Sequence, residues 1–284
     1  MLYLPIIGAL ALAGGTILQR IILKKREMGI KLYQTAEFLA IIIASLPFIY
    51  FLWKVNPAAL ETKNVIIFAL IIVFSIIANL LVYYSIKWEK VTHLEPAKLT
   101  EPLFVVILAI IFSFIFGTQL YERNLNVIIP TLIAGLALIF SHIKKHHLDF
   151  NKYFIAAILG SFFFALELVL SKLILNLYSP ISFYFIRSAS ILLISLIAFR
   201  PKLNKIENKT KLKILLVGFL WVVYRIVLYY GYINFGVVYT TLTLMLSPIF
   251  IYFFAHKFLK EKLEWRNIIA ATVIVACIIY VLAV

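Results

Sequence analysis

Long apolar runs separated by short polar loops make up most of the 284 residues. A helix needs about 20 residues to cross a bilayer, and the runs reach roughly that length without the alternation of a transmembrane β-strand. We delimit ten runs, five in each half: 3–23, 34–53, 65–87, 91–117, 126–143, 153–176, 180–199, 213–234, 237–258 and 267–283. The pattern predicts an all-α integral membrane protein with ten transmembrane helices.

Composition supports a membrane protein, because 64% of the residues are hydrophobic and the mean hydropathy is +1.05. An ordinary soluble domain is about 45–50% apolar. The net charge of +15 comes from Lys and Arg in the short loops, which favours a lipid bilayer over nucleic acid as partner. Nineteen of these side chains lie in or beside the loops after odd-numbered runs, against three in the other loops and tails. This bias predicts cytoplasmic odd loops, both termini outside, and the cell (plasma) membrane.

Two segments 146 residues apart align without a gap, residues 80–104 and residues 226–250. The matched pairs are Tyr83 with Tyr229, Tyr84 with Tyr230, Val91 with Val237, Pro102 with Pro248 and Phe104 with Phe250. The match indicates an internal duplication, with repeats at 1–147 and 148–284. Because each repeat holds five runs, equivalent runs cross the membrane in opposite directions, which predicts an inverted repeat.

Two elements carry a family resemblance, VYYSIKWEKVTHLEPAKLTEPLFVVILA and LYYGYINFGVVYTTLTLMLSPIFIYFFAHKFLKEKL. With the segment LILNLYSPISFYFIRSAS and the five-plus-five runs, the chain resembles the EamA-like branch of the drug/metabolite transporter superfamily. The resemblance implies a central cavity lined by spans 1–4 and 6–9, with spans 5 and 10 outside. It also implies substrates ranging over amino acids, drugs, sugars, nucleotides and lipid-linked molecules. Glu37 stands where the family often has an arginine, and better-studied members usually keep both termini in the cytoplasm.

The fourth run is the richest in charge, with Glu95, Lys98 and Glu101 spaced three apart along one helix flank. Pro96 and Pro102 interrupt backbone hydrogen bonding there and predict helix bends, as does Pro248 in the repeat. A mid-bilayer charge costs about 2.5–3.5 kcal/mol and normally faces a cavity or a partner. Two interpretations stay open: a transport path, or an ion-pair lock between spans.

Two arginines lie within later runs, Arg187 in the seventh and Arg225 in the eighth, and both are predicted transport-path residues. Their repeat counterparts Glu37 and Asn79 join them in that prediction. Arginine can bind a substrate carboxylate or phosphate bidentately. The alternative is that each arginine neutralises a buried glutamate.

Three further features concern the inner surface of the predicted bundle. Trp221 and Tyr224 lie on or near one flank with Arg225, so they are candidate cavity residues. Glu167 is the one carboxyl in an otherwise apolar run and is a candidate for proton coupling, with Glu95 and Glu101. Arg20 and Lys172 sit nearer span ends, and we expect them to extend to the membrane interface.

No phosphate-binding loop GxxxxGK[ST], HExxH motif or paired-Asp catalytic set occurs in the sequence. The histidines 142, 146 and 147 lie in a basic loop that favours a solvated face over a metal site. We therefore expect no enzyme activity, cofactor or metal. The leading hypothesis is a secondary active transporter of a small polar or amphiphilic, charged or zwitterionic metabolite. A flippase for a lipid-linked intermediate is the alternative, and the chain is expected to be a monomer or homodimer.

Overall fold

The computed structural model describes residues 3–89, 94, 97–121, 123–142, 151–259 and 265–283. Two residues of the predicted site, Glu95 and Pro96, lie outside the described residues, as do the histidines at 146 and 147. The described chain is helical apart from short connections and one isolated antiparallel bridge between Val55 and Tyr178. The all-α prediction is therefore confirmed for the part of the chain that the structure describes.

Eleven α-helices are described, and they follow the apolar runs closely. They are α1 Tyr3–Leu23, α2 Ile30–Leu52, α3 Thr62–Trp88, α4 Thr100–Phe116, α5 Leu125–His142, α6 Lys152–Ile174, α7 Pro180–Phe199, α8 Asn208–Asn234, α9 Val237–Leu244, α10 Ser247–Leu259 and α11 Trp265–Ala283. Within the described residues, eight segments are long and apolar enough to cross a membrane, counting α9 and α10 together. The helices α4 and α5 are apolar but shorter.

The ninth run was predicted as one span with a bend at Pro248, and in the structure two helices form this span. The helix α9 ends at Leu244, a turn occupies Met245 and Leu246, and α10 begins at Ser247. Pro248 has no N–H to donate to the carbonyl of Leu244, so the helical backbone hydrogen bonds are interrupted at this point. The same interruption precedes Pro102 in the other repeat, where Leu99 is a turn and α4 begins at Thr100.

The loops gather at two ends of the bundle. At one end Lys25 from the α1–α2 loop lies 3.7 Å from Glu207 in the α7–α8 loop, and Asn151 before α6 donates to Glu89 after α3 at 2.8 Å. At the other end the α2–α3 loop meets the α6–α7 loop, where the backbone N–H of Asn56 donates to the carbonyl of Leu177 at 2.7 Å. The described helices between these loops therefore run from end to end of the bundle.

Helices of the first half pack mainly against helices of the second half. The principal contacts are α1 with α8, α3 with α6, α2 with α7, α2 with α8, α4 with α6, α1 with α9 and α10, and α5 with α11. Glycine permits two of the close approaches. A Cβ on Gly160 of α6 would lie 2.7 Å from a Val82 methyl on α3, and one on Gly8 of α1 would lie 2.8 Å from a Val227 methyl on α8. These two glycines therefore permit close packing of the helices.

Candidate functional site

A cavity of about 180 Å³ lies between the two halves and is the candidate site. Each helix from α1 to α10 contributes described residues to the wall of the cavity. Its polar lining residues are Thr16, Gln19, Arg20, Glu37, Asn79, Tyr83, Lys98, Glu101, Ser161, Tyr184, Arg187, Trp221, Tyr224, Arg225, Tyr232, Thr241 and Ser247. We call this space the central cavity.

One buried carboxylate, Glu167 on α6, is held by two arginines behind the cavity wall. Its Oε1 lies 3.1 Å from Nε of Arg187, and its Oε2 accepts from Nη1 of Arg225 at 3.2 Å. The hydroxyl of Tyr229 donates to Oε1 at 3.2 Å, and Nε of Arg187 also donates to Ser75 at 2.9 Å. We call Glu167, Arg187, Arg225 and Tyr229 the Glu167 cluster. Two arginines and one hydroxyl therefore surround this single carboxyl group.

A second buried carboxyl group, Glu37 on α2, has neutral partners instead. Its Oε1 accepts from Tyr33 at 3.0 Å and from the indole N–H of Trp221 at 2.8 Å. The hydroxyl of Tyr83 on α3 contacts Oε2 and lies 2.8 Å from Oδ1 of Asn79. We call these five residues the Glu37 cluster. No described Lys or Arg forms an ion pair with Glu37, although the carboxyl is only 2% exposed.

Lys98 and Glu101 face the central cavity from the segment around the first helix break. Neither forms an ion pair with the other or with another described residue. The predicted lock between Lys98 and a span-4 carboxylate is therefore not formed with Glu101. Both side chains are accessible to a ligand in the cavity.

The prediction that Arg20 and Lys172 extend to the membrane interface is wrong. Arg20 is 5% exposed and lines the central cavity, while Lys172 is 7% exposed and donates to the carbonyl of Tyr232. Both side chains are buried against other helices of the bundle and do not extend to the lipid headgroups. The sequence signal was their position, three residues before the end of α1 for Arg20 and two before the end of α6 for Lys172, and position does not distinguish a lipid-facing side from a protein-facing one.

Almost all predicted site residues converge on the cavity. Its wall contains Glu37, Asn79, Lys98, Glu101, Pro102, Arg187, Trp221, Tyr224, Arg225 and Pro248. Glu167 is fully buried just behind the wall, in contact with Arg187 and Arg225. The aromatic partners Tyr33, Tyr83 and Tyr229 were missed as site residues. Their signal was available, since 33 and 37, 79 and 83, and 225 and 229 are each one helical turn apart.

The titratable groups of the described residues do not form a metal centre. No group of three or more His, Cys, Asp or Glu side chains is placed to hold an ion in the described part of the chain. The chemistry of the cavity is therefore that of Arg, Lys and Glu side chains with Tyr and Trp hydrogen-bond donors.

Comparison with known proteins gives two matches. The EamA-like transporter family matches the chain twice, over residues 1–141 and 151–283. Solved structures also match, and one crystal structure covers 98% of this chain and 95% of its own, with 13% identity and a TM-score of 0.65. At that identity the likeness concerns the fold alone. No curated protein matches the chain. With both halves matched, the chain belongs to the EamA-like transporter family and is a multi-pass membrane protein.

Proposed function

We propose that the protein is a secondary active transporter that moves a small charged or zwitterionic metabolite by alternating access. The observation that carries the proposal is the convergence of the intramembrane charges of both halves on one cavity. Charged side chains within membrane spans are costly unless they face partners or a water-filled space. A charged cavity between two repeats is the arrangement in which secondary transporters bind their solutes.

An inverted repeat of ten crossings, with repeats at 1–147 and 148–284, is part of this proposal. Matched contacts support it. Trp221 of α8 donates a hydrogen bond to Glu37 of α2. In the repeat, Ser75 of α3 is the equivalent of Trp221 and Arg187 of α7 is the equivalent of Glu37, and these two residues also form a hydrogen bond with each other. The positions of the loops support opposite directions for equivalent helices of the two halves. The α1–α2 loop and its equivalent, the α6–α7 loop, lie at different ends of the bundle. Such halves can exchange conformations to open the cavity on either side.

The charge of the cavity region favours a solute with an anionic group. Arg187 and Arg225 share one carboxyl group, Glu167, so these three side chains carry one positive charge in excess when all of them are ionised. Lys98 and Glu101 together present one group of each sign, which suits a zwitterion such as an amino acid.

The size of the cavity favours a small metabolite over a lipid-linked intermediate. Pockets for drug-sized ligands are about 300–1,000 Å³, and the central cavity encloses about 180 Å³. An amino-acid-sized solute fits this space, whereas a flippase substrate needs a larger headgroup site with a lateral opening. Proton coupling belongs to the proposal. The sequence offered Glu95, Glu101 and Glu167 as its carriers, and the two arginines beside Glu167 favour a structural role for that residue.

A ligand-stabilisation screen tests the substrate class. We expect anionic and zwitterionic metabolites to raise the melting temperature of the purified protein, because they bind the folded state beside Lys98 and the arginines. Cationic analogues of equal size are the control and should give no shift. The best ligand is then followed in proteoliposomes with and without a pH gradient. Stabilisation by cationic analogues alone would contradict the proposed class.

The loop charges carry a prediction about orientation. In the plasma membrane we expect the loops after odd-numbered spans to face the cytoplasm and the C-terminus to face outward. Cys277 is the single cysteine of the chain, so a Cys277→Ser background allows one reporter cysteine at a time. A cysteine added after residue 284 should react with an impermeant maleimide in intact cells, and one at Lys209 should not. The reverse pattern would show the opposite orientation.

A further inference from the structure

We infer that Glu37 is the group that binds and releases the proton during the transport cycle. The inference rests on the proposed transport function and assigns its coupling to a residue outside the fourth span. Glu37 lines the central cavity and is held by the Glu37 cluster. The hydrogen-bond partners of this cluster are complete only when the carboxyl group carries a proton.

The Tyr83 hydroxyl has too few protons for the acceptors it contacts. It has one proton to donate, yet it contacts two acceptors, Oε2 of Glu37 and Oδ1 of Asn79. The orientation of the Asn79 amide is set by its Nδ2, which donates to the carbonyl of Ser75 at 2.7 Å. Its Oδ1 therefore faces Tyr83 and needs a proton from it. If Glu37 is ionised, one of these two acceptors has no donor within the cluster.

A proton on Oε2 of Glu37 resolves this shortage. Glu37 then donates to the Tyr83 oxygen, and Tyr83 donates to Oδ1 of Asn79. Oε1 keeps its two donors, Tyr33 at 3.0 Å and Trp221 at 2.8 Å. Every polar atom of the cluster is then paired, as buried polar groups are in native structures. On deprotonation the proton leaves Oε2 for the cavity, and Tyr83 turns its own proton from Asn79 to the new carboxylate.

The groups packed around Glu37 fit a carboxyl that changes its charge. Tyr33 faces it from α2, Tyr83 from α3, Tyr184 from α7 and Trp221 from α8, and all four are neutral. The charged groups face the same cavity from α1, α4, α7, α8 and the segment before α4, as Arg20, Glu101, Arg187, Arg225 and Lys98. None of these five forms an ion pair with Glu37. The neutral surroundings hold the protonated form, and the nearby cations leave the ionised form accessible.

The repeat provides an internal comparison. Tyr229, the counterpart of Tyr83, also donates to a buried glutamate, but that residue is Glu167 with Arg187 and Arg225 on its two oxygens. The counterpart of Glu37 is Arg187 itself. One half therefore holds a carboxyl group paired with two arginines, whereas the other half holds a carboxyl group with neutral donors only. This difference assigns proton exchange to Glu37 and structure to Glu167.

The protonation of Glu37 links proton binding to the binding of an anionic group. With Glu37 neutral, the described wall of the cavity carries one negative charge fewer. An anionic solute is then bound more tightly, and by linkage the bound anion also favours the proton. The expected coupling is therefore joint movement of a proton and an anionic solute in one direction.

The substrate-free protein allows a direct test, because Trp221 is a natural reporter beside Glu37. The chain has four tryptophans, and replacing Trp53, Trp88 and Trp265 with phenylalanine leaves Trp221 alone. We expect its emission to titrate with pH in one step, and the Glu37→Gln variant to lose that step. Infrared spectra of the same pair should show a protonated-carboxyl band that disappears in Glu37→Gln. Glu207→Gln, at an exposed loop position, is the control and should keep both signals.

A second variant keeps the test decisive if Glu37→Gln fails to fold. Tyr83→Phe removes the hydroxyl next to Oε2, so the titration step should remain but shift its midpoint. An emission that does not change with pH, or a step unchanged in Glu37→Gln, overturns the assignment. Neither the emission nor the infrared measurement needs a substrate. Transport by a protein whose Trp221 emission shows no titration step would therefore contradict the role of Glu37 and leave the proposed function standing. An intact titration in a protein that transports none of the metabolites that stabilise it contradicts the proposed function alone.

Discussion

The Glu167→Gln variant is expected to lose about 3–5 kcal/mol of its free energy of unfolding, the effect of removing one partner of a buried ion pair. The loss arises because Arg187 and Arg225 would keep their charges in a core from which their shared carboxylate has gone. Glu167 itself is fully buried. Thermal and denaturant unfolding of the purified protein in detergent measures the change.

The control for this experiment is Glu207→Gln. Glu207 is exposed and forms a 3.7 Å ion pair with Lys25 at the end of the bundle, so its loss should cost at most about 1 kcal/mol. The double variant Glu167→Gln with Arg225→Gln should recover part of the stability, because it removes one of the two stranded charges. Equal stability of Glu167→Gln and Glu207→Gln would show that the Glu167 cluster does not hold the fold together.

The second large effect is expected on ligand binding. Lys98→Gln should weaken binding of the best anionic metabolite roughly 10- to 100-fold, since a hydrogen bond to a charged group contributes about 1.5–3 kcal/mol. Lys98 lines the cavity and forms no ion pair with a described residue, so its charge is available to the solute. Titration calorimetry of both proteins with the same metabolite gives the two dissociation constants.

Glu101→Gln is the matched variant of opposite charge, three residues further along the cavity wall. It should bind a purely anionic metabolite as tightly as the natural protein or more tightly, because a repelling carboxylate is removed. A zwitterion should lose affinity in both variants. If Lys98→Gln binds the anion with unchanged affinity, the anionic group is recognised elsewhere.

The helices and the charged positions were predictable because membrane spans obey simple length and polarity rules. A run of about 20 apolar residues has few alternatives to a helix in a bilayer. A charge inside such a run must face protein or water, so Lys98, Glu101, Arg187 and Arg225 could be assigned to a common interior. The duplication added the expectation that residues from both halves meet there.

The sequence could not predict which of these groups contact each other. Trp221 and Glu37 are 184 residues apart and on different helices, and no local spacing shows that they meet. The break between α9 and α10 lies beside Pro248, where a bend was predicted, because this proline blocks the hydrogen bond to a carbonyl one turn earlier. Its extent was not predictable, since Met245 and Leu246, which form the turn, are ordinary helix formers. Burial of Arg20 depended on the side of α1 that faces the bundle, which the position alone does not specify.

The two helix breaks also bring backbone dipoles to the cavity. A helix N-terminus carries a partial charge of about half a positive unit, and both α4 and α10 begin at residues beside the cavity wall. Glu101 in the first turn of α4 compensates the positive N-terminal pole of that helix, whereas α10 has no acidic residue in its first turn. Only two residues separate the negative C-terminal pole of α9 from Ser247, so it lies against the positive pole of α10 and the two largely cancel. What the break leaves at the cavity wall is the carbonyl of Leu244, which receives no hydrogen bond from Pro248.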